Sequence, residues 1–398
     1  MPSKFLFISI LNVFRNCNSD CGTRNLGKVL KFDLPVLFYI DPIINRSVIY
    51  QALLNIQEKT CIRFERRHSK ITDKNGINFL RSDKGYCINE HVGRRISFYK
   101  PQNIYIDKKC MENPVEVQSY VHQALGALPT HLRNDSVKYI KVCYNDILEE
   151  NFKYFAPAYY PSIDTFGLQY EFASILHVDA FYFAKNELAS QKTIEVIEYE
   201  KIYDLIIGQR KSATFNDYKY LNFLYCNETC KKFPYLYCDS PGYQNPNDCF
   251  SCICPSGKEG TNCELPPKTF KEECKTNDIW VTEKEEKITF SSQNGYYCAV
   301  RFLTIKKARI LIRFGAFNFT DSKDLCTPLY GIEIKYHKDK GESGICICLR
   351  STGITSIVSE DELVYVIVKF NGTPIELEVK YKQVNYINAK SLRISHKK

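Results

Sequence analysis

The crowding of cysteines is the feature that most constrains how this chain can fold. The chain has 18 cysteines in 398 residues, and six of them fall in a short stretch that is rich in Gly, Pro and Asn. So small a unit cannot bury enough apolar surface to fold unaided, and disulfides must therefore hold it together. Many cysteines at short spacings also indicate an oxidising compartment. The six cysteines of this stretch are Cys230, Cys238, Cys249, Cys252, Cys254 and Cys263.

The start of the chain and its N-glycosylation sequons also indicate an oxidising, secretory compartment. Lys4 precedes an apolar run from Phe5 to Phe14, which has the length of a signal peptide, and Ser19 is a candidate cleavage residue. We therefore predict a signal peptide over residues 1–19, with a buried strand as the alternative. No other apolar run has the length needed to cross a bilayer. Asn-x-Ser/Thr sequons, the acceptors of N-linked glycans, occur at Asn45, Asn134, Asn227, Asn318 and Asn371.

The net charge of +9 is spread along the chain without a long run of one sign. A solvated basic surface is the simplest interpretation of this pattern, and weak attraction to anionic glycans or membrane surfaces is the alternative. No basic motif typical of nucleic-acid binding is present, so we predict no nucleic-acid partner.

Residues 22–226 have a mixed pattern of strands and helices. Val36–Ile40 and Cys61–Phe64 are predicted strands, and Ser47–Thr60 has apolar residues at helical spacing. A second predicted helix, Val115–Leu128, ends at Gly126 and Pro129. Its first-turn acids, Glu112 and Glu116, are interpreted as solvated. The pattern predicts an α+β domain.

The last part of the chain, residues 274–384, has many short strand-like runs and no helical period, which predicts an all-β sandwich. The runs are Trp280–Thr282, Ile288–Phe290, Ala308–Phe314, Gly331–Tyr336, Val364–Phe370 and Ile375–Tyr381.

Residues 227–264 resemble an EGF-like module, including its Cys-x-Cys step at Cys252 and Cys254. Six cysteines allow fifteen pairings; the resemblance implies Cys230 with Cys249, Cys238 with Cys252, and Cys254 with Cys263.

The sandwich resembles a CUB domain, which implies a first disulfide between Cys274 and Cys298. The second would join Cys326 to Cys348 or to Cys346. Calcium-binding CUB domains place an acidic residue where this chain has Leu329, so calcium is not expected.

The first segment resembles the astacin family of zinc metalloendopeptidases, and the domain order is similar to that of nematode astacins. The resemblance implies disulfides between Cys61 and Cys226 and between Cys87 and Cys110. The matching segments are Tyr39-Ile40-Asp41, Lys59-Thr60-Cys61-Ile62-Arg63-Phe64, Gly85-Tyr86-Cys87, Val92-Gly93-Arg94, Ala124-Leu125-Gly126, Asn151-Phe152-Lys153-Tyr154, Tyr170 to His177, Ile207-Gly208-Gln209-Arg210 and Tyr225-Cys226.

Active members of that family need the motif His-Glu-x-x-His-x-x-Gly-x-x-His. Two histidines four apart share a helix face, the glycine permits a sharp turn, and the third histidine closes the zinc site. The glutamate deprotonates the zinc-bound water. When the alignment is anchored on Ala124-Leu125-Gly126, the three histidine positions are occupied by Ser119, Gln123 and Pro129. The glutamate position is occupied by Tyr120.

Three further observations bear on this alignment. Arg133 and Asp135 fall on the arginine and aspartate that follow the third histidine in the family. A shifted register that makes His122 the second ligand still fails, because Gln118 and Ser119 then stand for the first histidine and the glutamate. The family's methionine turn reads Ser174-Ile175-Leu176-His177-Val178 here, and Val178 replaces a tyrosine that can bind the metal.

These residues favour a non-catalytic extracellular protein that binds protein or peptide and needs no cofactor. An active zinc metalloendopeptidase is the alternative, and it requires zinc. A rebuilt zinc site from His122, His131 and His177 is conceivable, but nothing places two of them on one helix face. Cys21 and Cys143 have no family partner and are expected to be free thiols, with Cys143 buried.

Overall fold

The computed structural model describes residues 29–385, apart from 84, 98, 158–159, 161–162, 187–190, 268–277, 293–295, 315–330, 348–354 and 371–374. Several sequence predictions therefore lie outside the described residues, namely the signal peptide, Cys21, Cys274, Cys326, Cys348, Leu329, Asn318 and Asn371. Within the described part of the chain, no helix has the length and apolar character of a membrane span.

The first lobe, residues 29–126, is built on a five-stranded sheet in the order β2-β1-β3-β5-β4. The strands run parallel except β4, which is antiparallel to β5 and lies at the edge. They are β1 (Val36–Ile40), β2 (Phe64–Arg66), β3 (Ile77–Arg81), β4 (Ile88–Asn89) and β5 (Gln102–Ile106). Of the two predicted strands, β1 has the expected bounds and β2 begins where the other was expected to end.

Two helices pack with this sheet in one core. Helix α1 (Arg46–Lys59) begins at Asn45, whose side chain accepts a hydrogen bond from the Ser47 amide. Its buried residues, Val48, Ile49, Ala52, Leu53 and Ile56, are the apolar set that predicts it. Helix α2 (Pro114–Ala124) is capped by Asn113 and has proline in its first turn.

Helix α2 ends four residues before the predicted end at Leu128. Gly126 has φ of 112°, a conformation that glycine adopts without strain. A Cβ at this position would also lie 2.5 Å from Cγ1 of Val29. The chain therefore leaves the helix at Gly126 and turns into the second lobe.

The second lobe, residues 127–226, has little regular structure. It contains the antiparallel pair β6 (Ile140–Val142) and β7 (Ile194–Val196), the short helix α3 (Glu200–Tyr203) and helix α4 (Phe215–Tyr225). Helix α4 begins at a capping box formed by Thr214 and Asp217. At its end, Cys226 forms a disulfide with Cys61 of the first lobe. A second disulfide joins Cys87 and Cys110.

The disulfide-rich module follows directly. Its disulfides join Cys230 to Cys249, Cys238 to Cys252 and Cys254 to Cys263, which are the pairs that the EGF-like resemblance implies. The only strands in its described residues are β8 (Tyr243–Gln244) and β9 (Cys252–Ile253). Asn247 Nδ2 donates to the carbonyls of Gln57 and Glu58 at 3.0 Å, so the module also contacts α1.

The last part of the chain is a β-sandwich of a five-stranded sheet, β10-β12-β17-β14-β15, and a four-stranded sheet, β11-β18-β13-β16. This confirms the predicted fold class of an α+β domain, a small disulfide-rich module and an all-β sandwich. The strands are β10 (Asp278–Trp280), β11 (Glu286–Ser292), β12 (Tyr296–Leu303), β13 (Arg309–Phe314), β14 (Gly331–Lys335), β15 (Ile345–Ile347), β16 (Thr355–Val358), β17 (Leu363–Phe370) and β18 (Ile375–Val384).

Three described cysteines lie outside the five disulfides above: Cys143, Cys298 and Cys346. Cys298 is disulfide-bonded, whereas Cys346 is a buried free thiol, so Cys346 does not close the second disulfide of the sandwich. Cys143 is a free thiol as predicted, but it is half-buried and not buried, because it lies at the exposed end of β6.

The second lobe and the sandwich share one continuous hydrophobic core. Tyr203 is buried there, with its ring 4.0 Å from that of Phe172 and its hydroxyl 3.0 Å from the Tyr336 hydroxyl. The Ser343 amide donates to the carboxylate of Glu171 across the same boundary. The sandwich therefore packs directly against the second lobe.

Candidate functional site

The candidate site lies where α2 of the first lobe faces the second lobe. Ser119 is buried, and its hydroxyl donates to the carbonyl of Glu116 at 2.7 Å. Gln123 is half-buried, and its main-chain carbonyl accepts from the Gly93 amide at 2.9 Å. The Ser119 hydroxyl is thus used within its own helix, as is common for serine in a helix interior.

Tyr120 takes part in a polar link between the lobes. Its hydroxyl donates to Glu116 Oε1 at 3.2 Å, and Glu116 Oε2 lies 3.2 Å from Nε of Arg210 in the second lobe. Burial, reinforced by the Glu116 carboxylate, raises the pKa of Tyr120 well above its ordinary value, so the phenol is neutral. Glu116 is therefore part of an ion pair, and its interpretation as a solvated first-turn acid is wrong.

Pro129 and the residues after it turn the chain away from α2. Pro129 is buried and precedes a 3-10 turn at Thr130–Leu132. In that turn His131 is buried between the rings of Phe155 and Tyr182, and its Nε2 lies 2.9 Å from the carbonyl of Tyr154. A carbonyl can only accept, so Nε2 carries the proton. Burial lowers the pKa of His131 to about 4, which keeps the ring neutral.

The segment that corresponds to the methionine turn is held by side chains of the second lobe. The Ser174 hydroxyl donates to Asp217 Oδ1 at 2.6 Å. His177 Nδ1 donates to the carbonyl of Val178 at 2.7 Å, so its Nε2 accepts from the Tyr170 hydroxyl at 2.8 Å. Burial lowers the pKa of His177 to about 3. Both ring nitrogens of this histidine are therefore occupied by protein partners.

The structure does not group as metal ligands the three histidines considered for a rebuilt zinc site, His122, His131 and His177. His122 is buried, and its ring lies 5.9 Å from the ring of Tyr218 on α4. Neither of its ring nitrogens has a hydrogen-bond partner. Over the residues that the structure describes, no three His, Cys, Asp or Glu side chains are grouped as metal ligands.

The residues at the family's zinc positions do not fit a zinc ion. Zinc sites use thiolate, imidazole or carboxylate donors in a tetrahedral arrangement. Ser119 offers a hydroxyl that is already bonded, Gln123 offers a neutral amide, and Pro129 has no donor atom in its side chain. Val178 has none either. None of these four side chains is an imidazole, a thiolate or a carboxylate.

Two residues that had no predicted role, Arg210 and Tyr182, make several contacts in this site. Arg210 Nη1 donates to the carbonyl of His177 at 3.0 Å in addition to its pairing with Glu116. Tyr182 packs against both His131 and Phe155. In the sequence, Arg210 appeared only as part of a matching segment. An arginine that closely follows the apolar run 205–207 is a signal that could have marked it.

Arg133 and Asp135 form a bidentate pair, with Arg133 Nε and Nη2 at 2.9 and 2.8 Å from the two carboxylate oxygens. Arg133 also donates to the carbonyls of Leu168 and Gln169. This pair therefore anchors the segment before the turn at Ser174.

The edge of the sheet beside α2 offers a surface for an extended chain. Among the described residues β4 pairs only with β5, so its other side has no strand partner. Three apolar side chains near β4 in the sequence are exposed: Tyr86 by 42%, Ile96 by 80% and Tyr99 by 79%. An unpaired edge with apolar side chains is typical of sites that bind an extended peptide.

Comparison with known proteins places these features in context. Residues 31–226 match the family model of the astacin peptidases. The chain is 28% identical over 375 residues to zinc metalloproteinase nas-34 of Caenorhabditis elegans, covering 92% of this chain and 58% of that protein. It is 27% identical over 392 residues to zinc metalloproteinase dpy-31 of Brugia malayi, covering 94% and 63%. The chain thus spans about three fifths of these relatives.

Two solved structures are similar to parts of the chain. One is high choriolytic enzyme 1, a hatching enzyme zinc-protease from Oryzias latipes, at 23% identity and a TM-score of 0.41, covering 48% of this chain and 88% of that one. The other is the CUB1-EGF-CUB2 domain of human MASP-1/3, at 18% identity and a TM-score of 0.23, covering 39% and 56%.

Proposed function

We propose that this chain, whose residues 31–226 match the astacin family model, is a secreted astacin-like pseudoprotease that binds extracellular protein or peptide without cleaving it. The observation that carries the proposal is the donor set on and after α2. Ser119, Gln123 and Pro129 stand where three imidazoles are needed, and Tyr120 stands where a carboxylate is needed.

The chemistry of these side chains supports inactivity. A hydrolytic zinc site needs ligands that hold the metal and a general base that takes a proton from the bound water. Tyr120 is a neutral phenol that already donates its proton to Glu116, so it has no capacity to act as that base. Val178 provides no hydroxyl for charge that develops on a substrate oxygen.

The cleft does not depend on a metal to hold its two sides together. Glu116 on α2 pairs with Arg210 of the second lobe, and Arg210 in turn donates to the carbonyl of His177. Arg210 thereby links helix α2 to the turn that follows Ser174. A cleft built in this way keeps its walls without zinc, which a binding role requires.

We take the surface for binding to be the outer side of β4, together with the exposed Tyr86, Ile96 and Tyr99 that lie near β4 in the sequence. Main-chain hydrogen bonds along a sheet edge give affinity that needs no metal, and exposed apolar side chains add contacts to alternate residues of the bound chain. The partner class is therefore an extended segment of an extracellular protein.

Secretion rests on the disulfides and on the predicted signal peptide. Five disulfides join described cysteines of the chain, in two parts of the fold. Proteins of reducing compartments rarely keep so many. The sequons at Asn45, Asn134 and Asn227 are exposed, as acceptors of N-linked glycans must be.

The decisive experiment measures zinc content and proteolysis together. The purified chain is assayed for bound zinc and for cleavage of a denatured protein, with and without a chelator. We expect no stoichiometric zinc and no cleavage. The matched control is the variant S119H/Y120E/Q123H/P129H, which restores the family's donors and should gain zinc. Chelator-sensitive cleavage by the unaltered chain would replace the proposal with an active zinc metalloendopeptidase.

Binding is tested separately with a displayed library of random peptides. Selected peptides should bind the chain, and the variant I96S/Y99S should lose most of that binding because it removes two exposed apolar contacts. Ile305 of the sandwich is also 63% exposed, so I305S is the matched control and should bind normally. Selection of no peptide, or equal loss in both variants, would contradict a peptide-binding edge.

A further inference from the structure

A groove of about 520 Å³ lies where the end of α4 meets the disulfide-rich module. Its volume falls within the range of pockets that hold small ligands. Asn222 and Phe223 line it from α4, and Asn227, Phe233, Tyr235 and Tyr243 line it from the module. The proposed binding function does not use this groove.

One polar atom in the wall of the groove has no partner. Asn222 is 4% exposed, and its Nδ2 donates to the carbonyl of Lys59 at 2.8 Å, to that of Tyr218 at 3.0 Å and to the Tyr243 hydroxyl at 3.2 Å. Its Oδ1 is buried and accepts from no protein group. A buried acceptor left unmatched costs free energy.

Four aromatic side chains line the groove, and the wall carries no unpaired charge. Phe233 is 45% exposed and Tyr235 is 87% exposed, which is unusual for large rings. The charged member of the wall, Lys231, is paired with Glu228 at 2.6 Å. Flat, exposed apolar rings suit a neutral group that presents C–H faces to them. Sugar rings of an N-linked glycan have this chemistry.

A source for such a group is part of the groove itself. Asn227 lines the groove, is exposed and begins the sequon Asn227-Glu228-Thr229. The sequon lies in a turn in which the Thr229 amide donates to the carbonyl of Cys226 at 3.0 Å. A glycan on Asn227 is tethered to the groove, so its first sugars are at high effective concentration there.

We propose that Asn227 carries an N-linked glycan whose first sugars fill this groove and cover Phe233 and Tyr235. The glycan thereby packs between α4 and the disulfide-rich module and fixes their junction. The proposal rests on the secretory part of the proposed function, because N-linked glycans are added only in the secretory pathway.

The test uses the full chain expressed in insect cells. Peptide mapping reports glycan occupancy at Asn227 and Asn134, and N227Q and N134Q assign the sites. The folded protein is then treated with peptide-N-glycosidase, which converts each released site to aspartate. We expect release at Asn227 to be about tenfold slower than at the exposed Asn134 while the protein is folded, and equal release after denaturation.

A variant pair separates the groove from general exposure. Y235A removes a ring that lines the groove and should bring release at Asn227 to the rate seen at Asn134. Tyr237 is 63% exposed in the same module but does not line the groove, so Y237A should change nothing. Since both rings are exposed, neither variant should unfold the chain.

The outcomes distinguish this proposal from the proposed secretion. A chain found only in the cytosol would overturn both. A secreted chain with an unmodified Asn227, with equally fast release at Asn227 and Asn134, or with no response to Y235A would overturn the groove proposal alone.

Discussion

The second lobe meets the rest of the protein through two interfaces of opposite character. Toward the sandwich it is joined by a continuous apolar core in which Phe172 and Tyr203 are buried. Toward the start of α2, across the cleft, the contact is polar and includes Glu116, Arg210 and Tyr120, whereas helix α4 packs into the apolar core of the first lobe through Leu221. Apolar burial is the larger source of stability. Residues on the cleft side can therefore be exchanged with little effect on the fold, whereas those on the sandwich side cannot.

The largest effect should come from removing the centre of the sandwich interface. Y203A deletes a fully buried ring that stacks on Phe172, and we expect a loss of about 3–5 kcal/mol in the free energy of unfolding. Denaturant unfolding measures it. The control Y203F keeps the ring and loses the contacts of its hydroxyl to Tyr336 and His337, so it should cost far less. Similar losses for both variants would show that the hydroxyl and not the apolar core dominates.

The same interface should make stability depend on pH. Burial raises the pKa of Glu171 from 4.5 to about 8, and burial together with Glu171 raises that of Glu342. The groups that act on this pair are Asp217, Glu333, Lys335, Asp339 and Glu360.

The direction of this pH effect follows from the raised pKa values. The unfolded chain gives up these protons more easily than the folded chain. The contribution of the two protonated carboxyl groups to the free energy of unfolding is therefore fully present below pH 4.5. It is lost as pH rises toward 8, by about 1.4 kcal/mol for each pH unit per group. The variant E171Q should reduce the slope of unfolding free energy against pH, and E65Q, an exposed control, should leave it unchanged. An unaltered slope in E171Q would rule out Glu171 as the source.

The polar link across the cleft should have a smaller effect on stability. R210M removes the ion pair with Glu116 and the hydrogen bond to the carbonyl of His177. We expect a loss of about 1–3 kcal/mol, because both charged groups are largely but not fully buried. The exposed pair of Lys141 and Glu195 gives the control K141M, which should cost under about 1 kcal/mol. Equal costs would mean that Arg210 is not buried in solution.

The smallest effect is expected at the position of the family's catalytic glutamate. Y120F loses one hydrogen bond to Glu116 and should cost about 0.5–1.5 kcal/mol. Thermal unfolding measures the change, with Y99F as an exposed control. If Y120F instead destabilises the chain as much as Y203A, the cleft is part of the structural core and the contrast between the two interfaces fails.

Much of the fold could be predicted from local patterns. The apolar spacing of Val48, Ile49 and Leu53 predicts α1 because burying one helix face is its main stabilisation, and that face is the buried one. The end of α2 was misplaced because Leu128 continues the apolar spacing. The turn at Gly126 depends on Val29, which packs there from the start of the domain.

Only part of the candidate site could be predicted from the sequence. The residue types at positions 119, 120, 123 and 129 can be aligned with a spaced motif, and their lack of metal donors is a property of each side chain alone. The pairing of Glu116 with Arg210 could not be predicted, because charged residues in a first helical turn are most often solvated. The same holds for the unpartnered Oδ1 of Asn222, which depends on what surrounds it.

The EGF-like resemblance implied the disulfide pairs of the small module, and the sequence by itself determined the order of the three units and the side chains available at the cleft. These depend on spacing and chemical type, which the chain carries without folding. Only the tertiary structure decided that the sandwich packs onto the second lobe and that a groove forms beside Asn227. Those features join residues as far apart as Tyr203 and Tyr336, and such contacts are set by packing rather than by local pattern.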